Sequence, residues 1–331
     1  DQEKPPEGAK PKTKRSKPKP APESEGEGEP KPEKPEKPDC PSKLKQRLKA
    51  LLRKGFDVML IGPAGCGKTH DCLTVAKELG LKVFIVASPQ MKHELEGYVD
   101  AMGLPVATSF VECFRYGGLI IIEEMDASGP DALIGINAAL ANRVMNIPGV
   151  GTVYAHPDFK VVATANTCGL GATSDYNTRN ALDRSTLDRF LTLEYDYDYD
   201  IELALGGKEL ADFAESYRYV CTEKGINSII TYRAITSVRA IMEMDGPEFG
   251  RKGTSARAAY ALDSGLLHSQ VDLDNLKDIA KSLPDSIYAK GLKAYISRKD
   301  KERKAKKAYI EALRIGAPAT PYDPNAEEEE I

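Results

Sequence analysis

The stretch Gly62-Pro63-Ala64-Gly65-Cys66-Gly67-Lys68-Thr69 is entered from the apolar run Val58 to Ile61 and left by a helix-compatible segment, Thr69 to Leu79. It matches G-x-x-x-x-G-K-[ST] in full, in the strand-to-helix setting that the motif requires. Glycines let such a loop curl so that successive backbone N–H groups converge on phosphate oxygens, and the helix N-terminus adds positive potential. Lys68 is placed to reach β- and γ-phosphates, and Thr69 to hold Mg2+. Gly62, Pro63, Ala64, Gly65, Cys66, Gly67, Lys68, Thr69 and His70 are therefore the nucleotide-binding candidates, with Cys66 read as a small filler residue.

Two further apolar runs end in polar side chains suited to the same chemistry. Leu119-Ile-Ile-Ile-Glu123-Glu124-Met-Asp126 closes on paired carboxylates, as a Walker B strand does. There the first acid supports Mg2+ and the second polarises the attacking water, which assigns Glu123 to the metal and Glu124 to catalysis. The first acid of that pattern is normally Asp; the extra methylene of Glu123 lengthens its reach, so it is expected to act through a metal-bound water, a departure that bears on the hydrolysis rate more than on nucleotide binding. Phe159-Lys-Val-Val-Ala-Thr-Ala-Asn166 ends in an amide, and Asn166 is expected beside Glu124, orienting the water.

Around these motifs the chain divides by composition. It has 331 residues, and eleven of its 22 prolines fall in the first 41 positions. Residues 1–42 contain no Val, Ile, Leu, Met, Phe, Tyr or Trp, so they are expected to be a disordered arm. Within it, Lys10 to Lys19 form a basic block and Glu23 to Glu29 an acidic one. From Leu44 helical spacing begins, and a short helix is expected to end at Gly55. Five runs follow at Asp57–Ile61, Lys82–Ala87, Gly118–Ile122, Phe159–Ala165 and Phe190–Leu193. Their lengths, β-branched content and helical separators predict an α/β fold with a parallel five-stranded sheet and helices on both faces. Beyond Asp200 the pattern becomes helical, notably at Ile201–Tyr219 and Arg233–Met244. The resulting division is an arm at 1–42, an α/β core at 43–198, a smaller α-helical lid at 199–290, and a charged helix with an acidic tail at 291–331.

Charge and cysteine usage exclude several alternatives. The net charge of −4 argues against a globally basic nucleic-acid binder, although the arm and the seven basic residues among Arg298 to Lys307 are local exceptions. Six cysteines, Cys40, Cys66, Cys72, Cys113, Cys168 and Cys221, show no C-x-x-C pair and only four histidines accompany them, so neither zinc nor a disulfide framework is indicated. No apolar run reaches membrane-spanning length and no signal peptide is apparent, so a cytoplasmic protein of a bacterial or phage-infected cell, without membrane contact, is expected.

Taken in order, these elements resemble the MoxR branch of AAA+ ATPases, a P-loop NTPase group, and within it the CobS-like ATPase subunit of cobaltochelatase and its phage-encoded relatives. The resemblance covers roughly residues 42–245. It is carried by Glu94-Leu-Glu-Gly97-Tyr98-Val-Asp100, by Glu124-Met-Asp126-Ala-Ser-Gly-Pro-Asp131, and most specifically by Ala163-Thr-Ala-Asn166-Thr167-Cys-Gly169-Leu-Gly171 continuing to Leu187-Asp-Arg189-Phe190. It implies ATP and Mg2+ as ligands and a homo-hexameric ring. It also implies a sensor-1 role for Asn166 and an arginine finger at Arg189, with Arg184 as the alternative. Arg233 takes the sensor-2 position, with Arg239 nearby. Ile147 to His156 becomes a hairpin before sensor 1, and Glu94 to Pro105 a pore-facing loop whose Tyr98 and Met102 meet a polypeptide.

The function so implied is an ATP-driven ring motor that remodels a protein client, including the chelatase-type case with a separate von Willebrand A-type partner. A nucleic-acid-stimulated motor, contacting nucleic acid through the basic arm, and a nucleotide-gated scaffold with little turnover are the alternatives.

Overall fold

The computed structural model describes residues 43–169, 171–172, 176–246, 249, 251–265 and 271–314. The expectations for the N-terminal arm, Cys40 and the acidic tail lie outside these residues. The first helix, α1, spans Lys43–Arg53 and leads into β1, Val58–Ile61. After it come α2 (Lys68–Leu79), β2 (Val83–Ala87), α3 (His93–Glu96), and the short strands β3 (Tyr98–Val99) and β4 (Pro105–Val106). Next are α4 (Ser109–Tyr116), β5 (Gly118–Glu123), α5 (Pro130–Gly135), α6 (Asn137–Asn142), β6 (Val144–Ile147) and β7 (Gly151–Tyr154). The core closes with β8 (Phe159–Ala165), α7 (Arg184–Leu187) and β9 (Leu191–Glu194).

All five expected runs are strands of one parallel sheet in the order β2-β5-β8-β1-β9. The order explains why these strands read as unbroken apolar runs. Ile120 and Ile122 of β5 point into a cluster with Phe110 and Phe114 of α4, whereas Leu119 and Ile121 point into a second cluster with Leu48, Leu52, Cys72 and Val75 of α1 and α2. Successive side chains of a strand face opposite ways, so a strand covered on both faces has no polar register. Each buried Leu, Ile or Phe contributes about 1.5–3 kcal/mol of transfer free energy, and the two clusters together anchor the sheet.

A helical domain follows: α8 (Tyr199–Gly206), α9 (Lys208–Lys224), α10 (Tyr232–Glu243), α11 (Ser255–Gly265), α12 (Leu273–Ser282) and α13 (Ile287–Arg314). It has its own core, including Phe213, Tyr217, Ile235, Leu262 and Leu292. The helix expected over 201–219 is two helices, because Gly207, at φ 76° and ψ 170°, leaves the helical region between them. The boundary expected at 290 falls within α13. Tyr288, Ala289, Leu292, Tyr295 and Ile296 of that helix are buried in the domain core, so its first part belongs to the lid.

Two small antiparallel hairpins stand outside the main sheet. β6 and β7 form the hairpin expected near 147–156, starting at Val144, and β3 and β4 form another within the expected pore-facing loop. Met102 is 84% exposed, whereas Tyr98 is 45% exposed and its ring meets that of His93 edge-on at 6.1 Å. Among the described residues no helix is long and apolar enough to cross a membrane.

Candidate functional site

The sheet order places β8 between β5 and β1, so the residues at the carboxyl ends of these three strands are neighbours. Gly62 continues β1 into the glycine-rich loop and donates its N–H to the Ala165 carbonyl at 3.2 Å. The loop depends on left-handed backbone at Gly65 (φ 71°) and Gly67 (φ 98°), which only glycine adopts without strain. At Gly65 space is limiting as well, since a Cβ there would lie 2.8 Å from the Thr231 Cβ.

Lys68 opens α2 and turns back into the loop. Its Nζ donates to the carbonyls of Gly62 at 2.6 Å and Pro63 at 2.8 Å, and to Asn166 Oδ1 at 3.0 Å. Burial pulls this ammonium below the ordinary lysine range. An anion brought into the loop therefore finds a desolvated cation whose charged form it stabilises. Cys66 is buried beneath the loop, as a filler residue would be.

The Thr69 hydroxyl donates to Glu123 Oε1 at 2.8 Å. The two residues assigned to Mg2+ are thus in contact across the junction of α2 and β5. A hydroxyl and a carboxylate are hard oxygen donors of the kind Mg2+ accepts while keeping waters and phosphates in its shell. Among the described residues no cluster of three or more His, Cys, Asp or Glu side chains is placed to hold a metal.

Glu124 has a left-handed backbone at φ 50° and ψ 47°. Its N–H donates to Thr164 Oγ1 at 3.2 Å and its carbonyl accepts from Ala127 N–H at 2.7 Å, which pins the strained residue from both sides. Next to it, Asp126 is fully buried. Its Oδ2 accepts from the N–H groups of Asn166 (3.0 Å) and Thr167 (2.9 Å) and from the Thr167 hydroxyl (2.9 Å). One buried carboxylate thereby ties the end of β8 to the loop after β5 and fixes where Asn166 presents its amide.

Sequence reasoning missed several members of this region. Arg179, nine-tenths buried, lies with Nη1 3.2 Å from Glu124 Oε2 and Nε 3.3 Å from Asp126 Oδ2. The Tyr176 hydroxyl accepts the Ala64 N–H at 2.9 Å, and the Tyr197 hydroxyl donates to the Ala64 carbonyl at 2.7 Å, so two tyrosines hold one residue of the phosphate loop. The only sequence signal for any of these is the tyrosine-rich stretch Tyr195-Asp-Tyr197-Asp-Tyr199 after the last strand.

Arg189 lies apart from this group. Its Nε donates to the Asn137 carbonyl at 3.2 Å and its guanidinium also bonds the Ser185 carbonyl. Arg184, at the start of α7, is exposed. Arg233 is the second residue of α10, whose first turn abuts the phosphate loop: the Tyr232 N–H donates to the Gly65 carbonyl at 3.2 Å. Arg233 itself is exposed, whereas Arg239 is engaged with Glu243 (2.9 Å) and the Leu205 carbonyl (3.1 Å). Of the two, Arg233 is the one available at this end of the helix.

A phosphate loop after β1, acids at the end of β5 two strands away and an amide at the end of the intervening β8 define a P-loop NTPase fold of the AAA+ class. Residues 57–190 match the family described as "AAA domain (dynein-related subfamily)". The denitrification regulatory protein NirQ of Pseudomonas aeruginosa is 28% identical over 155 residues, covering 44% of this chain and 56% of NirQ. Protein CbbQ of Hydrogenophilus thermoluteolus is 28% identical over 162 residues, 46% of this chain and 57% of CbbQ. The chain thus spans little more than half the length of these curated relatives, and the MoxR-type AAA+ resemblance read from its motifs stands with them. Among solved structures, NtrX from Brucella abortus in complex with ADP overlays with a TM-score of 0.40 at 13% identity, over 73% of this chain and 54% of that one.

Proposed function

We propose that the chain hydrolyses ATP as a subunit of a MoxR-type AAA+ ring motor and uses the cycle to remodel a protein client. The observation that supports this most is the paired contact of Lys68 with Asn166 and of Thr69 with Glu123, which gathers the charge-handling groups of phosphoryl transfer at one edge of the sheet. In that reaction the protein chiefly positions groups and stabilises charge. Lys68 exchanges its carbonyl and amide partners for phosphate oxygens, and Asn166, freed from it, orients the water. Glu124, exposed toward the site, accepts the water's proton. Thr69 and Glu123 would hold Mg2+, which would supply neutralisation of phosphate charge.

Among the described residues the hydrogen bonds of Arg189 go to carbonyl oxygens 52 and 4 residues back in its own chain, and in this reading it faces the γ-phosphate of a neighbouring subunit. Arg233 completes the site from the lid. A homo-hexamer is the assembly proposed, with the exposed β3–β4 hairpin meeting a polypeptide client. A chelatase-type motor with a separate von Willebrand A-type partner is one form of it. The nucleic-acid reading draws less support from α13, because many of its cations are paired: Arg298 with Asp263 (2.6 Å), Lys299 with Glu302 (3.1 Å) and Lys304 with Asp300 (2.9 Å).

ATPase assays on wild type and Glu124→Gln test the reading. Turnover by the assembled wild type and its loss in E124Q with ATP binding retained are expected. A wild type that binds ATP without turnover would leave the nucleotide-gated scaffold instead.

A further inference from the structure

We infer that Arg179 is a positioning residue for ATP hydrolysis, holding the Glu124 carboxylate in its working place by anchoring on the buried Asp126. The inference rests on the ATPase reading above and extends it to a residue outside the phosphate loop, the paired acids and the arginines at 189 and 233.

Three observations carry it. Arg179 bridges two carboxylates that differ in mobility: Asp126 is fully buried and held by three donors, whereas the side chain of Glu124 is 53% exposed. The guanidinium therefore has one fixed partner and one free to move, and it sets where the free one lies. Its own position is also fixed. The neighbouring Asn180 donates its N–H to the Asp126 carbonyl at 2.7 Å and its side-chain amide to the Ser128 carbonyl at 2.9 Å. The Arg179 guanidinium lies 5.7 Å from the centre of the Tyr176 ring, whose hydroxyl holds the phosphate loop.

Third, the contact leaves chemistry available. Arg179 meets Glu124 at Oε2, one of the two oxygens of a carboxylate whose side chain is 53% exposed, and a guanidinium keeps its charge throughout the cycle. A carboxylate swinging freely on a strained backbone samples many orientations in which it misses the water. Removing the anchor costs rate through misplacement, with no loss of a phosphate contact.

The experiment measures turnover, KM and ATP affinity for wild type, Arg179→Ala and Arg179→Lys. R179A is expected to lower kcat by about 10- to 100-fold while ATP affinity stays within about twofold, because misplacing a catalytic group affects the transition state alone. R179K keeps the charge without the fork and is expected to recover part of the loss. Should R179A prove unstable, R179Q replaces it for the same comparison. Unchanged or raised kcat, or a fall in kcat matched by an equal loss of ATP affinity without rescue by Lys, overturns the inference and leaves the ATPase reading intact. A wild type without turnover defeats both.

Discussion

At Glu124 the backbone and the side chain are constrained by different neighbours. Thr164 and Ala127 hold the left-handed backbone, and Arg179 meets the carboxylate. Replacing the carboxylate by an amide preserves shape and removes the proton acceptor. E124Q is therefore expected to bind ATP like wild type and to lose about 10²- to 10⁴-fold in kcat, read by steady-state phosphate release. Gly65 makes a different test of the same region. Alanine there puts a Cβ on a φ of 71° and against Thr231. G65A is expected to destabilise the protein by about 1–3 kcal/mol in denaturant titration and to weaken ATP binding, since the loop must shift to relieve both strains. Lys68, Thr69, Glu123, Glu124 and Asn166 were legible in the sequence because each stands at a fixed offset from an apolar strand. Arg179 stands in Thr178-Arg179-Asn180, which has no periodicity, and it acquires a partner only when the chain returns to the end of β5.

The elements divide the same way. The five sheet strands are readable because burial on both faces demands unbroken apolar runs, and the hairpin of β6 and β7 because Pro148-Gly149 marks its turn. The break at Gly207 is not readable from amphipathic spacing, which continues across it from α8 to α9. Nor is the continuity of α13, where apolar residues at the start give way to charge while the backbone runs on as one helix. The α4 contact tests the element scale. Phe114 is fully buried, with its ring 5.0 Å from that of Phe159 and 6.4 Å from that of Phe110. Phe114→Ala is expected to cost about 3–5 kcal/mol in chemical denaturation. ATP affinity of the folded fraction stays near wild type, because Phe114 packs in a cluster separate from the one that includes Cys66 of the phosphate loop.

At the scale of the whole molecule, the proposal divides the site between two chains. The loop, the acids and Asn166 meet within one chain, and the lid's α10 closes against the phosphate loop, but Arg189 is turned onto Asn137 and Ser185. The sequence motifs place Arg189 on the chain without saying whose nucleotide it serves. The assembly is the central claim, and complementation measures it most directly. Lys68→Ala removes the phosphate contact but keeps Arg189, whereas Arg189→Ala keeps the loop and removes the finger. Each variant alone is expected to be inactive. Mixed and reassembled, they are predicted to regain ATPase turnover, because intact loops then face intact arginines. A mixture as inactive as its components, under conditions where the two variants are shown to co-assemble, would contradict the account.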